Sequence, residues 1–200
     1  MFIQVMRGTV TDRAELRAML DRWLAELAPH ATGWLGTTCG VTADDTFIGL
    51  VRFESEPAAR ANSDRPEQHQ WWMETSKLFA GDVTFHDCRE TSTFLRGGSD
   101  EAGFVQVMLG RSDNLERLRE LDREMDQYAG FRPDLIGGVT ALHGDGGFTQ
   151  AAYFTSEAEA RKGEKIEPPA AIKALMDEFQ SLVQGMEYLD LPEPWLFSPR

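Results

Sequence analysis

Long apolar runs are missing from this sequence. No stretch approaches the roughly 18 uninterrupted apolar residues that a membrane span requires. The opening residues, MFIQVMRG, lack a basic segment followed by a long apolar one, so no signal peptide is visible. Cysteine is scarce: Cys39 and Cys88 are the only two, and no CxxC pair exists for redox or zinc chemistry. Two reduced, buried thiols in a reducing, cytoplasmic compartment are the expectation. Basic residues are in the minority, 20 Lys and Arg against 33 Asp and Glu, for a net charge of −13 with no Lys/Arg run. Such a surface repels phosphate backbones and anionic lipid heads, which argues against nucleic acid and membrane as partners. There is no HxxxH, no HExxH and no carboxylate-rich ligand set, so no metal site is expected. A GxSxG elbow, a P-loop and a GxGxxG fingerprint are likewise absent, and no cofactor is expected.

What is present is a repeat. Residues 2–8, FIQVMRG, return at 104–110 as FVQVMLG, with Phe, Gln, Val, Met and Gly in the same places. Phe47, Phe53, Ser55, Glu56, Ala59 and Arg60 return at one spacing as Phe148, Phe154, Ser156, Glu157, Ala160 and Arg161. A match through two strands and into a helix indicates internal duplication, and its period suits a small α+β domain rather than a solenoid. The apolar share, 42%, supports a packed core in each copy.

Within the first copy, residues 2–8 read as a strand. Thr11 and Asp12 cap a helix carrying Leu16, Leu20 and Leu27, which ends before Pro29. Two strands follow over residues 33–41 and 46–54, joined by a turn at Asp44 and Asp45. The second is apolar on both faces, with Phe47, Val51 and Phe53 on one and Ile48 and Leu50 on the other, so it is expected to be covered on both. Ser55 caps a short helix. A longer one starts at Pro66 and is expected to stop at Gly81, before a strand over residues 83–88. In the second copy a helix from Pro169 is expected to end at Gly185, before a strand near residues 186–191. The order in each copy is β-α-β-β-α-β. Residues 92–103, rich in Gly, Ser and acids, read as a linker between modules at 1–91 and 104–191. Residues 192–200 form an extended tail anchored by Trp195 and Phe197.

Two such units resemble the ferredoxin-like modules of the dimeric α/β-barrel superfamily, here fused into one chain as a pseudo-dimeric barrel. The resemblance implies an α+β fold that is complete in a monomer or assembles further as a homo-oligomer. It implies a hydrophobic small molecule as partner, in a pocket between sheet and helices. Functions in that superfamily include antibiotic-biosynthesis-type monooxygenases that need no cofactor, haem-degrading oxygenases, small isomerases and proteins without known activity.

Residues 62–72, NSDRPEQHQWW, form the densest chemical cluster, and the second copy lacks it. In a cofactor-independent monooxygenase His69 is the candidate base, Trp71 and Trp72 are walls, and Asn62 or Gln4 polarises a carbonyl. The other reading is that the tryptophans pack helix to sheet and His69 is a surface residue. Gln4 and Gln106, matched amides inside apolar strands, either line a cavity or satisfy an intersheet hydrogen bond. In haem-degrading relatives a first-strand Asn acts with a helical Trp and His. Here Gln stands in the strand and His69 precedes Trp71, a departure from that arrangement. A non-catalytic hydrophobic-ligand-binding or stress-related module is the alternative function, with haem binding third.

Overall fold

The computed structural model describes residues 1–126 and 130–199. They fall into two compact units, residues 1–89 with 195–199, and residues 90–126 with 130–194. Each is taken by itself below.

The first unit opens with β1 (Phe2–Val10) and α1 (Arg13–Glu26), then β2 (Trp34–Val41) and β3 (Thr46–Phe53). Two helices follow, α2 (Glu56–Ser63) and α3 (Pro66–Thr75), then β4 (Phe79–Cys88). Local chemistry starts the helices where the sequence indicates. The Asp12 carboxylate accepts the Glu15 amide at 2.9 Å, and the Ser55 hydroxyl accepts that of Ala58. The four strands are antiparallel in the order β2-β3-β1-β4, the ferredoxin-like arrangement. β3 is buried on both faces, Ile48 and Leu50 as fully as Phe47 and Phe53, as its unbroken apolar pattern requires.

The second unit begins one strand earlier than the repeat predicts. β5 (Glu90–Leu95) is followed by β6 (Phe104–Ser112), α4 (Leu115–Met125), β7 (Leu135–Leu142) and β8 (Gly147–Phe154). Then come α5 (Glu157–Gly163), α6 (Ala170–Leu182) and β9 (Val183–Leu191), and the chain ends with β10 (Trp195–Phe197). The sheet order is β5-β7-β8-β6-β9. The copies agree to the residue: Phe2 faces Phe53 and Gln4 faces Val51, as Phe104 faces Phe154 and Gln106 faces Ala152. The N-cap of α4 is Asn114, which stands where Asp12 does in α1.

Three expectations give way. The stretch read as a linker opens on β5, whose residues Glu90 to Leu95 pair with β7. The tail supplies β10, whose Trp195, Leu196 and Phe197 pair with Cys39, Thr38 and Thr37 of β2, so both sheets have five strands rather than four. Polar or Pro-flanked residues gain a strand here because the neighbouring edge offers unpaired backbone groups. Gly81 and Gly185 do not end helices; each lies inside its strand at positive φ, +81° and +61°. Each accompanies a register shift against β1 or β6, so they are bulge glycines.

Candidate functional site

Each unit leaves a space between one sheet face and its helices, and the two spaces differ in size. In the first unit it is about 90 Å³, lined by Gln4, Leu20, Trp23, Thr37, Asn62, Gln68 and Phe197 among others. In the second it is about 420 Å³.

Aligned positions explain the difference. Where α1 carries Leu20 and Trp23, α4 carries Asp122 and Met125, counted from their matched N-caps. Where β3 carries Val51, β8 carries Ala152. Where α2 has Asn62, α5 has Gly163, counted from Ser55 and Ser156. The Trp23 indole fills its space, edge-on to Trp34 at 5.0 Å, with its N–H donated to Gln68 at 2.7 Å. Met125 and Ala152 leave that volume open in the second unit, whereas beside Gly163 the Arg132 guanidinium takes the space.

The walls of the larger cavity are apolar and adaptable. Met108, Met125, Met176 and Met186 share them with Phe94, Phe154, Phe179 and several leucines and isoleucines. Ile166, Met176 and Tyr188, three of the large apolar side chains most exposed to solvent, belong to the same lining and form its rim.

One carboxylate sits in this wall. Asp122 is 6% exposed and takes a place on the apolar stripe of α4 with Leu118, Leu121 and Met125. Its Oδ2 accepts the Ser92 hydroxyl at 2.5 Å and its Oδ1 accepts the Gln150 amide at 3.0 Å. That amide also donates to Thr140 Oγ1 at 2.8 Å. Burial, above all, holds the Asp122 carboxyl above the ordinary carboxylate range. Hydrogen bonds from Ser92, Thr140 and Gln150 oppose the shift, and Asp126 adds to it.

The cluster is one row across the sheet. Ser92 pairs with Thr140, Thr140 with Gln150, and Gln150 with Met108. The same row in the first unit reads Trp195, Cys39, Gly49 and Met6. With Leu20 in place of Asp122, every member of the network is apolar or bare in the other copy. The network is therefore a property of the second cavity and not a requirement of the fold.

A carboxyl whose proton affinity is raised by burial sets the sign of a stability effect. Its folded-state pKa lies above the unfolded value of about 3.9. The stability it contributes is fully present below that value and is lost as pH rises through the folded-state pKa. Asp122→Asn keeps the shape and cannot ionise. We expect it to raise the thermal midpoint, by ~2 °C at neutral pH, with the gain shrinking to nothing near pH 4. Calorimetric scans of both proteins from about pH 4 to about pH 8 check this; a gain equal at all pH would reject the assignment.

The residues singled out from the sequence scatter. Gln4 and Asn62 both line the small cavity, and Gln106 lines the large one. Each glutamine donates to a carboxylate of the neighbouring edge strand at 2.9 Å, Gln4 to Asp87 and Gln106 to Asp190, so each bond lies within one sheet and not between sheets. Asn62 accepts from Arg65 at 3.1 Å. Trp71 is buried in the helix-to-sheet core, its N–H donated to the Met19 carbonyl at 2.8 Å and its ring 6.4 Å from Trp23. Trp72 stacks among Phe79 and Phe85. His69 lies exposed on α3 and lines neither cavity. Adjacent helix positions point to different sides, which is why a dense sequence cluster makes no site. Asp122, Ser92 and Gln150 were missed. The available signal was an acid on an apolar helical stripe, at a position where the other copy has leucine.

Among the described residues no group of three or more His, Cys, Asp or Glu is placed to hold a metal ion. None of the described helices is long and apolar enough to cross a membrane.

No family model matches the sequence, and no curated protein matches it. Solved structures do. The "putative monooxygenase" of Lactobacillus acidophilus NCFM matches with a TM-score of 0.77 at 12% identity, covering 98% of this chain and 95% of that one. A protein of the same description from Fusobacterium nucleatum gives 0.76 at 7% identity, covering 100% and 98%. An anthrone oxidase-like protein gives 0.66 at 14% identity, covering 98% and 93%. At these identities the likeness is one of fold: this chain shares the fold of those proteins, with two ferredoxin-like modules in tandem.

Proposed function

We propose that this chain handles a hydrophobic, aromatic small molecule, one per chain, in the cavity of the second unit. The observation that carries the reading is a 420 Å³ apolar space with a single buried carboxylate network at one wall. The first unit's cavity, at about 90 Å³, is too small for such a ligand.

The chemistry proposed for the site is cofactor-independent oxygenation. It draws on the fold shared with proteins described as monooxygenases and as anthrone oxidase-like. Asp122, in place of His69, is the base. As carboxylate it takes one proton from a methylene held between two aromatic rings, leaving a carbanion that the rings delocalise. Dioxygen is the oxidant: the carbanion carbon bonds to one oxygen atom, and the resulting hydroperoxide loses water. The methylene becomes a carbonyl, one oxygen atom leaves as water, and the carboxyl returns its proton. An oxygen electrode with a panel of anthrones and phenols tests this. Asp122→Asn is expected to slow uptake by about 10²-fold or more, and His69→Ala to leave it unchanged. Uptake that is absent with every substrate, or equal in the Asp122 variant, would reject the catalytic reading.

A second reading is a holder without turnover. It is favoured by the hydrogen bonds: both oxygens of Asp122 are already occupied by Ser92 and Gln150, as suits an anchor better than a free base. Native mass spectrometry of the purified protein separates the two. A stoichiometric co-purified ligand with no oxygen uptake supports the holder.

A further inference from the structure

We infer that the molecule held in the second unit's cavity carries a positive charge, a protonated amine or amidine on a hydrophobic body, and that Asp122 is its counter-ion. The inference rests on the cavity being the ligand site, and it takes the holder reading one step further by naming the ligand class.

Consider the charges in the cavity wall. Its ionisable members include Asp122, Arg132 and Glu164. Arg132 is committed to Asp134 through two bonds of 2.9 and 2.6 Å. Glu164 accepts from Arg161 at 2.8 Å. Asp122 has hydroxyl and amide donors only. The cations on α4 lie elsewhere: Arg123, the next residue, is exposed to solvent, Arg119 reaches Glu90 at 2.8 Å, and Arg117 is surrounded by Glu120, Glu124 and Glu178. Asp126, one turn on, adds negative charge. Among the described residues, then, the one charge in the wall without an ionic partner is negative. A buried carboxylate with neutral partners recovers only part of its hydration, and an incoming cation recovers more.

Three further features point the same way. Phe94 and Tyr188 line the same cavity, and aromatic rings there attract a cation once water is excluded, as Phe154 does with the Arg132 guanidinium 5.7 Å from its centroid. The chain's net charge of −13 draws cations toward the protein and turns anions away. The first unit builds the same fold with Leu20, Cys39, Gly49 and Trp195 at the corresponding places, so the carboxylate and its neutral escort are not demanded by folding.

The experiment uses three probes of matched shape on the full chain by titration calorimetry: 1-naphthylmethylamine, 1-naphthalenemethanol and 1-naphthoic acid. The amine is expected to bind at least ~10-fold more tightly than the alcohol, with the acid weakest. In Asp122→Asn, and in Asp122→Leu should the first variant fold poorly by circular dichroism, the amine-to-alcohol ratio should fall to about one. An amine no better than the alcohol in the wild type, or an advantage that survives both substitutions, overturns the charge assignment and leaves the cavity standing. Failure of all three probes to bind overturns the cavity reading along with it.

Discussion

Met125→Trp combined with Ala152→Val is expected to weaken binding of any aromatic ligand at least ~100-fold while the protein stays folded. The two changes install in the second unit what the first already has at those places, Trp23 and Val51. In the first unit the cavity around those residues is about 90 Å³; in the second it is about 420 Å³. Overpacking is harmful when a core is full, but here the added atoms enter open volume and gain contacts. The thermal midpoint should therefore hold or rise. Calorimetric titration beside a thermal scan gives both numbers. Undiminished affinity in a well-folded variant would place the ligand elsewhere.

The second large effect is on stability. Trp23→Ala should destabilise the protein by about 3–5 kcal/mol. The indole is 8% exposed and holds the first unit's core together from three directions. It packs edge-on to Trp34 at 5.0 Å, tilts against Trp71 at 6.4 Å, and donates to Gln68 at 2.7 Å. Truncation removes these ring contacts, leaves the Gln68 carbonyl without its donor, and opens a void next to an existing one. Denaturant unfolding followed by circular dichroism measures the loss. A change below ~1 kcal/mol would mean that the surrounding side chains collapse into the space.

Much of the fold was legible because its signals are local. Matched strands such as residues 2–8 and 104–110 announce the duplication, and caps such as Ser55 and Ser156 start their helices where expected. The errors arose where one local signal serves two ends. A glycine at positive φ ends a helix or makes a bulge, and only the pairing of β4 with β1, or β9 with β6, decides which. β5 and β10 were hidden for the same reason: edge pairing is a tertiary event, and neither residues 90–95 nor residues 195–197 show a strand's alternation.

The site was legible in a different place from where chemical density pointed. Trp71 and Trp72 fill space instead of bordering it, and His69 faces solvent. Comparing the copies position by position was the better guide. Leu20 against Asp122 and Val51 against Ala152 mark which copy keeps an open interior and which has closed it.

The first unit's outermost strand, Trp195–Phe197, is encoded after all of the second unit. A ribosome therefore delivers β2 long before its partner emerges. For most of translation that border is a bare row of amide and carbonyl groups, open to a neighbouring nascent chain. A premature stop or a protease cut ahead of Trp195 would leave it so permanently. Such a product should be aggregation-prone even with every other strand in place.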